Sequence, residues 1–232
     1  MKNVLITGGS TGIGAAMVEA FAAHGYEVAF TYYRHERQAR LLQEKTGARA
    51  ITCALHEPET IPPALCEAGK IDILINNAGV SWTGLITDMT DAQYRYLMDV
   101  NLDGCFYLCR QALPAMIRRK QGAVINVSSI WGMVGASCEA AYSASKGALI
   151  AFTKALAKEV GPSGITVNCL CPGVIETDML CHLSEQDKKM LAEDTPLMRL
   201  GKPHEVAQAA LFLAQSRFIT GQALCVDGGF AL

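Results

Sequence analysis

Thr7-Gly8-Gly9-Ser10-Thr11-Gly12-Ile13-Gly14 follows the apolar run Val4-Leu5-Ile6 and precedes a stretch, Ala15 to Ala23, with helical periodicity. The order is strand, glycine-rich turn, helix. Glycines at such a turn let the backbone fold tightly and approach a pyrophosphate, and the helix N-terminus offers unpaired N–H groups and the positive end of its dipole. The spacing is neither GxGxxG nor that of an ATP-binding P-loop, so an ATP site is disfavoured. Alone, the turn is equally compatible with an ordinary tight turn.

Outward from that turn the alternation repeats. A second strand is expected at about Glu27 to Tyr32, rich in β-branched and aromatic residues, followed by a polar helix that ends at Gly47. Strands at Arg49 to Ala54 and Ile71 to Ile75 enclose residues 55 to 70, close to the minimum for a crossover helix. A helical region from Thr90 to Arg119, a strand from Ala123 to Val127 and a helix from Glu139 to Val160 come next. A strand at Thr166 to Cys171, a helix at His204 to Ala214 and a strand at Ala223 to Val226 follow. This pattern predicts one Rossmann-like, doubly wound α/β domain over 1–232, with a mostly parallel seven-stranded sheet and helices on both faces. The helix from Glu139 to Val160 is apolar nearly all round, so it needs a partner besides the sheet. That predicts a helix-mediated homo-oligomer.

Half of the residues are apolar and 18% are charged, against about 25% in an average protein, which excludes a disordered chain, a coiled coil and a collagen-like polymer. Twenty basic and 22 acidic residues, with no long run of either sign, argue against nucleic-acid or anionic-membrane partners. The cysteines (53, 66, 105, 109, 138, 169, 171, 181 and 225) are odd in number and contain no CxxC pair. Neither a disulfide framework nor a zinc site is indicated, no metal is expected, and small buried hydrophobes in a reducing compartment fit them. From Met1 the chain reaches Gly8-Gly9 too early for the apolar stretch of a signal peptide, and no apolar run approaches a membrane span. A cytoplasmic protein is the expectation.

At the end of the second strand a carboxylate would bind the adenosine ribose 2′-hydroxyl of NAD. The sequence there is Thr31-Tyr32-Tyr33-Arg34-His35, without an acid. Arg34 offers a planar cation suited to a 2′-phosphate, which favours NADP, although a solvated arginine at a helix start is the alternative.

Tyr142-Ser143-Ala144-Ser145-Lys146 places a phenol and an ammonium one helical turn apart. A fixed cation stabilises a phenolate and brings a tyrosine toward use as a general acid or base. Ser129, just past the strand that ends at Val127, can return to the same place and hold a carbonyl oxygen. On spacing alone, such a pair is more often two surface residues than two catalysts.

Taken in order, these motifs resemble the short-chain dehydrogenase/reductase family over essentially the whole chain. Thr7 to Gly14 are similar to its TGxxxGxG turn, and Asn76-Asn77-Ala78-Gly79 to its NNAG motif. Asn101, Ser129, Tyr142 and Lys146 are similar to its catalytic tetrad, and Pro172-Gly173-Val174-Ile175-Glu176-Thr177 to its nicotinamide-side PG motif. The resemblance implies NADPH bound by Gly8, Ser10, Thr11, Gly12, Ile13 and Gly14, by Arg34, by Asn77, Ala78 and Gly79 on the adenosine side, and by Tyr142 and Lys146. Pro172, Gly173, Ile175 and Thr177 would meet the nicotinamide end. It also implies hydride transfer to a ketone, with Tyr142 protonating the alkoxide and Ser129 positioning its oxygen. Lys146 would bind the nicotinamide ribose and lower the tyrosine's pKa, and Asn101 would hold a water in a proton relay. Family precedent points to a homotetramer.

Two features depart from the family pattern. An acidic residue that contacts adenine usually ends the third strand, but here Cys53-Ala54-Leu55 stands there, which implies adenine binding through backbone contacts. The connection Ala214 to Ile219 is also trimmed.

Within the family the chain looks most like the 3-oxoacyl-(acyl-carrier-protein) reductases, through Cys171-Pro172-Gly173, Glu176-Thr177-Asp178-Met179 and Ile219-Thr220-Gly221-Gln222. Arg118, Arg119 and Lys120 are either a carrier-protein docking patch or solvated helix-end charges, and the family's second basic position is Ser163 here. The segment Trp131 to Glu139 is similar to that of elongation factor P 5-aminopentanone reductases. Glu139 would pair with a substrate ammonium and Trp131 would form a wall, or else the two cap and pack their own helix. Trp131, Cys138, Glu139 and Met179 are the expected substrate pocket, and Asp178 to Thr195 is expected to form a helical lid. Cys181 has only the adjacent His182 to support a nucleophilic role. Other readings are an NAD-dependent alcohol or sugar dehydrogenase, and a non-catalytic NADPH-binding regulator, which would be expected to lack the tyrosine or the lysine.

Overall fold

The computed structural model of the chain describes residues 2–181 and 183–232, so His182 lies outside the described residues. The strands are β1 (Asn3–Ile6), β2 (Glu27–Tyr32), β3 (Arg49–Thr52), β4 (Ile73–Asn76), β5 (Gly122–Val127), β6 (Ile165–Pro172) and β7 (Ala223–Val226). The helices are α1 (Gly12–Ala23), α2 (Glu36–Thr46), α3 (Ile61–Ala68), α4 (Asp91–Met98), α5 (Gly104–Arg119), α6 (Trp131–Val134), α7 (Ala140–Val160), α8 (Glu185–Glu193) and α9 (Pro203–Gln215). The strands form one sheet in the order β3-β2-β1-β4-β5-β6-β7, and every neighbouring pair is parallel. The order reverses between β1 and β4, where Ile6 stands beside both Phe30 and Ile75. In such a sheet the connections leave in opposite directions at the reversal, and a crevice opens at the strands' carboxyl ends.

Apolar residues cover both faces of the sheet. Met17, Val18 and Phe21 of α1 pack with Val206, Ala210 and Leu213 of α9 on one face, whereas Ile61, Leu108, Met116 and Leu156 from α3, α5 and α7 fill the other. Helices on both faces are what continuous apolar strands such as β4 and β6, buried along their whole length, require.

Three boundaries differ from the sequence reading for physical reasons. β3 stops at Thr52 because the Ala54 N–H donates to the Thr60 side chain (3.1 Å) and leaves the ladder. The helical region from Thr90 to Arg119 is two helices joined by a π-turn over Asp99–Asp103. Thr90 caps α4 by accepting from Gln93 N (3.3 Å), and the π-turn, a feature frequent at functional sites, holds Asn101 fully buried. Trp131–Val134 forms a helical turn, α6, that periodicity did not resolve.

Ala140, Ala144, Ala151 and Ala155 of α7 are exposed, so the apolar face that predicted a second partner is uncovered in the single chain. Among the described residues no helix is long and apolar enough to cross a membrane.

Phe21 is fully buried and meets Tyr26 edge-on, ring centroids 5.1 Å apart. Phe21→Ala is expected to cost about 3–5 kcal/mol of folding stability, read from the urea unfolding midpoint with an unchanged slope. A loss under about 1 kcal/mol would show that α1 and α9 do not pack as described.

Candidate active site

The glycine-rich turn is held by the ends of β1 and β4 together. Thr7 Oγ1 accepts from the Asn77 and Ala78 N–H groups, each at 3.0 Å, and Asn77 Nδ2 donates back to Thr7 O (2.9 Å) and Gly8 O (3.2 Å). Gly8 has φ +62°, and a Cβ there would stand 2.8 Å from the Ala78 backbone. A Cβ on Gly14 would overlap the Gly8 carbonyl oxygen. Only glycine lets the two segments approach this closely. The first turn of α1 carries no acidic residue, and Thr11 at its N-cap makes no side-chain capping bond. Its N–H groups and dipole are left for an anion, which fits a pyrophosphate.

Beyond β5 and on α7 lies the polar set. Ser129, Tyr142 and Lys146 are buried, and Tyr142 shares a hydrogen bond with Ser129. Lys146 Nζ donates to Val127 O (3.0 Å) and sits 5.7 Å from the Tyr142 ring centroid. Two of the three ammonium donors therefore remain for a bound molecule. A Cβ on Gly79 would come within 3.1 Å of Lys146 Nζ, so Gly79 keeps the ammonium's surroundings open. Asn101 Nδ2 donates to Val80 O (2.9 Å) and Ser145 Oγ (3.1 Å), while its Oδ1 accepts from Val80 N (2.8 Å). That leaves one lone pair of Oδ1 for a relay water.

Burial raises the Tyr142 phenol from its ordinary value of 10.0 to about 12; the hydrogen bond with Ser129 opposes this, and the Glu139 carboxylate adds to it. This corrects the expectation that Lys146 lowers the value. The ammonium donates to the Val127 carbonyl, and burial of the phenol is the largest cause of its shift. Burial also lowers Lys146, opposed by the thiols of Cys105, Cys169 and Cys171. At neutral pH the site holds a protonated phenol, a proton donor.

The other expected residues divide by position. Ser10, Thr11, Gly12 and Ile13 form the turn itself, and a Cβ on Gly12 would lie 3.2 Å from Thr177 Cγ2, which brings Thr177 to the turn. Thr177 Oγ1 donates to Ile175 O (3.3 Å), Gly173 N donates to Val226 O (3.0 Å), and Pro172 ends β6. Arg34 is exposed at the end of β2, its guanidinium 5.3 Å from the Tyr33 ring centroid. Trp131 N donates to Ser129 Oγ (3.2 Å), and its ring meets Phe230 edge-on at 5.4 Å. Cys138 is exposed with φ +62°, and Met179 is 45% exposed. The segment expected as a lid holds α8, capped by Ser184. Arg118, Arg119 and Lys120 do not flank the site within one chain. They close α5 just before β5, at the amino ends of the strands, where Arg119 Nη2 donates to Ile71 O (2.6 Å). At the end of β3 the Ala54 N–H donates to Thr60 Oγ1 (3.1 Å).

Sequence reasoning missed Ser128, whose Oγ donates to Lys146 O (2.7 Å) and ties α7 to the end of β5. It also missed Phe230. Neither carries a local signal, because each acts on a residue distant in the chain.

A wholly parallel, doubly wound sheet with an uncapped helix at its crevice defines a dinucleotide-binding protein, and the buried serine, tyrosine and lysine beside it define an oxidoreductase site. Comparison with known proteins narrows the class. A family model described as enoyl-(acyl carrier protein) reductase matches residues 8–231. The chain is 39% identical over 241 residues to the 3-oxoacyl-(acyl-carrier-protein) reductase FabG of Chlamydia muridarum, covering 99% of this chain and 97% of the relative. It is 38% identical over 250 residues to the uncharacterised oxidoreductase YmfI of Bacillus subtilis, covering 99% and 98%. A Brucella melitensis 3-ketoacyl-(acyl-carrier-protein) reductase solved with NADH superposes with a TM-score of 0.93 at 31% identity, covering 100% of this chain and 98% of that one. A metagenomic blue fluorescent protein solved with NADPH superposes with a TM-score of 0.92 at 34% identity, with the same coverage. The chain belongs to the short-chain dehydrogenase/reductase family, and it is an oxidoreductase that takes a nicotinamide dinucleotide.

Because the folded Tyr142 value lies above the ordinary 10.0, its proton stabilises the fold at low pH, and that stabilisation is lost as pH climbs from 10 toward about 12. The phenolate absorbance of the wild type minus that of Tyr142→Phe is expected to show no ionisation below about pH 10 in the cofactor-free protein. One phenolate appearing near neutral pH would contradict the buried, protonated state.

Proposed function

We propose that the chain is an NADPH-dependent ketoreductase that reduces a ketone to a secondary alcohol, most like a 3-oxoacyl-(acyl-carrier-protein) reductase. The observation that carries this reading is the protonated, buried Tyr142 in hydrogen-bond contact with Ser129 beside the Lys146 ammonium. The nicotinamide supplies the hydride when bound. Ser129 orients the substrate carbonyl oxygen, and Tyr142 gives its phenolic proton to that oxygen as negative charge develops there. Lys146 holds the ribose hydroxyls with its two remaining donors and stabilises the phenolate left behind. Asn101, held by Val80 and Ser145, holds the water through which Tyr142 regains its proton. Burial keeps bulk water from competing at each of these atoms.

Arg34 supports NADPH over NADH. It is exposed at the end of β2 without a carboxylate in Thr31 to His35, and the Tyr33 ring stands beside its guanidinium. Asn77, Ala78 and Gly79 line the adenosine side, and Pro172, Gly173, Ile175 and Thr177 the nicotinamide side. The uncovered alanine face of α7, with the 44% exposed Phe106 on α5, supports a homo-oligomer, for which family precedent gives a tetramer. An acyl carrier protein is the favoured carrier of the ketone.

A second substrate reading is favoured by one observation. Glu139 acts electrostatically on Tyr142, which places a carboxylate near the reacting oxygen, and Trp131, whose N–H donates to Ser129 Oγ, meets Phe230 edge-on. This combination suits a ketone that carries an ammonium, such as the aminopentanone attached to elongation factor P. Cys138 and Met179 complete the rim of that pocket.

NADPH consumption with acetoacetyl thioester, abolished in Tyr142→Phe, is the expected result. NADPH binding without thioester reduction would shift the substrate to the protein-linked aminoketone. Arg34→Ala is expected to raise the KM for NADPH about tenfold or more and leave that for NADH unchanged. An equal change for both cofactors would remove the 2′-phosphate assignment.

A further inference from the structure

Two serines hold the turn of α7 that carries Tyr142 and Lys146 by its carbonyls. Ser128 Oγ donates to Lys146 O (2.7 Å), and Ser145 Oγ donates to Tyr142 O (2.7 Å). Ser128 stands outside the helix, whereas Ser145 lies within it and is fully buried. A serine bonded back to a carbonyl of its own helix suits a helix interior less well than alanine, because its hydroxyl competes with the backbone ladder. Here the hydroxyl has a second partner outside the helix. Ser145 Oγ accepts from Asn101 Nδ2 (3.1 Å), which ties the π-turn to α7. An amide nitrogen only donates, so the Ser145 proton is committed to Tyr142 O.

The Asn101 amide is thereby fixed at three points. Val80 N and O hold it at 2.8 and 2.9 Å, and Ser145 Oγ takes its remaining N–H. One lone pair of Oδ1 is left. A Cβ on Gly79 would stand 3.3 Å from that Oδ1 and 3.1 Å from Lys146 Nζ, so the two atoms border one small gap. The gap is the place for a water between amide and ammonium. Its width depends on how the π-turn sits against α7, and the Ser145 bond joins the two at Asn101 itself and at the residue before Lys146.

We propose that Ser145 is a positioning residue for proton return, its hydroxyl holding the Asn101 amide at the separation from Lys146 that one water spans. The phenolate left by each reduction then takes up one proton from solvent through that water and the Lys146 ammonium. Ser145 acts through Asn101 and not on the substrate. Without its hydroxyl one Asn101 N–H is buried and unpaired, and the amide must roll or the π-turn must shift to find another acceptor. Either movement changes the gap at Gly79 and leaves the fold around it in place.

The proposal rests on Tyr142 as the proton donor in ketone reduction, and steady-state kinetics of the full chain in H2O and in D2O test the two separately. Ser145→Ala is expected to lower kcat about tenfold or more, with the KM for NADPH and for the ketone within about twofold of the wild type. Its solvent isotope effect on kcat is expected to exceed that of the wild type, because proton return has become the slow step. Ser145→Thr keeps the hydroxyl and is expected to hold kcat within about threefold of the wild type. Ser145→Cys keeps the volume with a weaker acceptor and is expected to fall between, which reads the same bond where the alanine variant does not fold. Wild-type kcat in the alanine or cysteine variant, or a lower kcat with an unchanged solvent isotope effect, would overturn the proposal while leaving Tyr142 as the donor. A wild type that reduces no ketone would overturn both.

Discussion

The hydroxyl of Thr7 and the amide of Asn77 knit the end of β1 to the end of β4, and the working half of the molecule hangs on that seam. It fixes the glycine turn at the point where the strand order reverses. There the α1 dipole faces the crevice, and Gly79, two residues after Asn77, keeps space around Lys146. A larger side chain at Gly8 or Gly14 would force the two strand ends apart. The same close approach therefore also sets the spacing between the glycine turn and Lys146.

The chemistry of the site comes from burial more than from charge pairing. Lys146 gives one donor to the Val127 carbonyl and is pinned through its own carbonyl by Ser128, while Tyr142 is desolvated enough to stay protonated. A neutral phenol near a developing alkoxide is poised for ketone reduction, because proton transfer then accompanies the appearance of charge and relieves it. The π-turn at Asn101 and the helical turn at Trp131 both break regular geometry beside this phenol, where side chains must be aimed inward and not along a repeating face.

Period and punctuation made much of this visible in the sequence. The Gly8 to Gly14 turn, the alternation of strands with helices, and the one-turn spacing from Tyr142 to Lys146 are local signals, and each is found where it was expected. What escaped reading depends on contacts between distant segments. The Tyr142 ionisation followed spacing to the wrong sign, because burial is a property of the packed molecule. Thr60 bonding to Ala54, Ser128 bracing α7, and His56 meeting Tyr96 across 40 positions leave no pattern in one dimension. The sequence left the choice between the two readings of Arg118 to Lys120 open, and the fold places them at the C-terminal end of α5. A helix that returns antiparallel to its strand carries its C-terminus to the amino ends of the strands, away from Ser129 and Tyr142.

The central claim is that a buried, protonated Tyr142 supplies the proton, and the pH dependence of ketone reduction at saturating cofactor and substrate tests it most directly. A rate that holds level between about pH 6 and about pH 9 and declines only at higher pH, as the phenol begins to ionise, is the result this account predicts. A rate that collapses through a transition near neutral pH, or one that climbs as the phenol ionises, would contradict it.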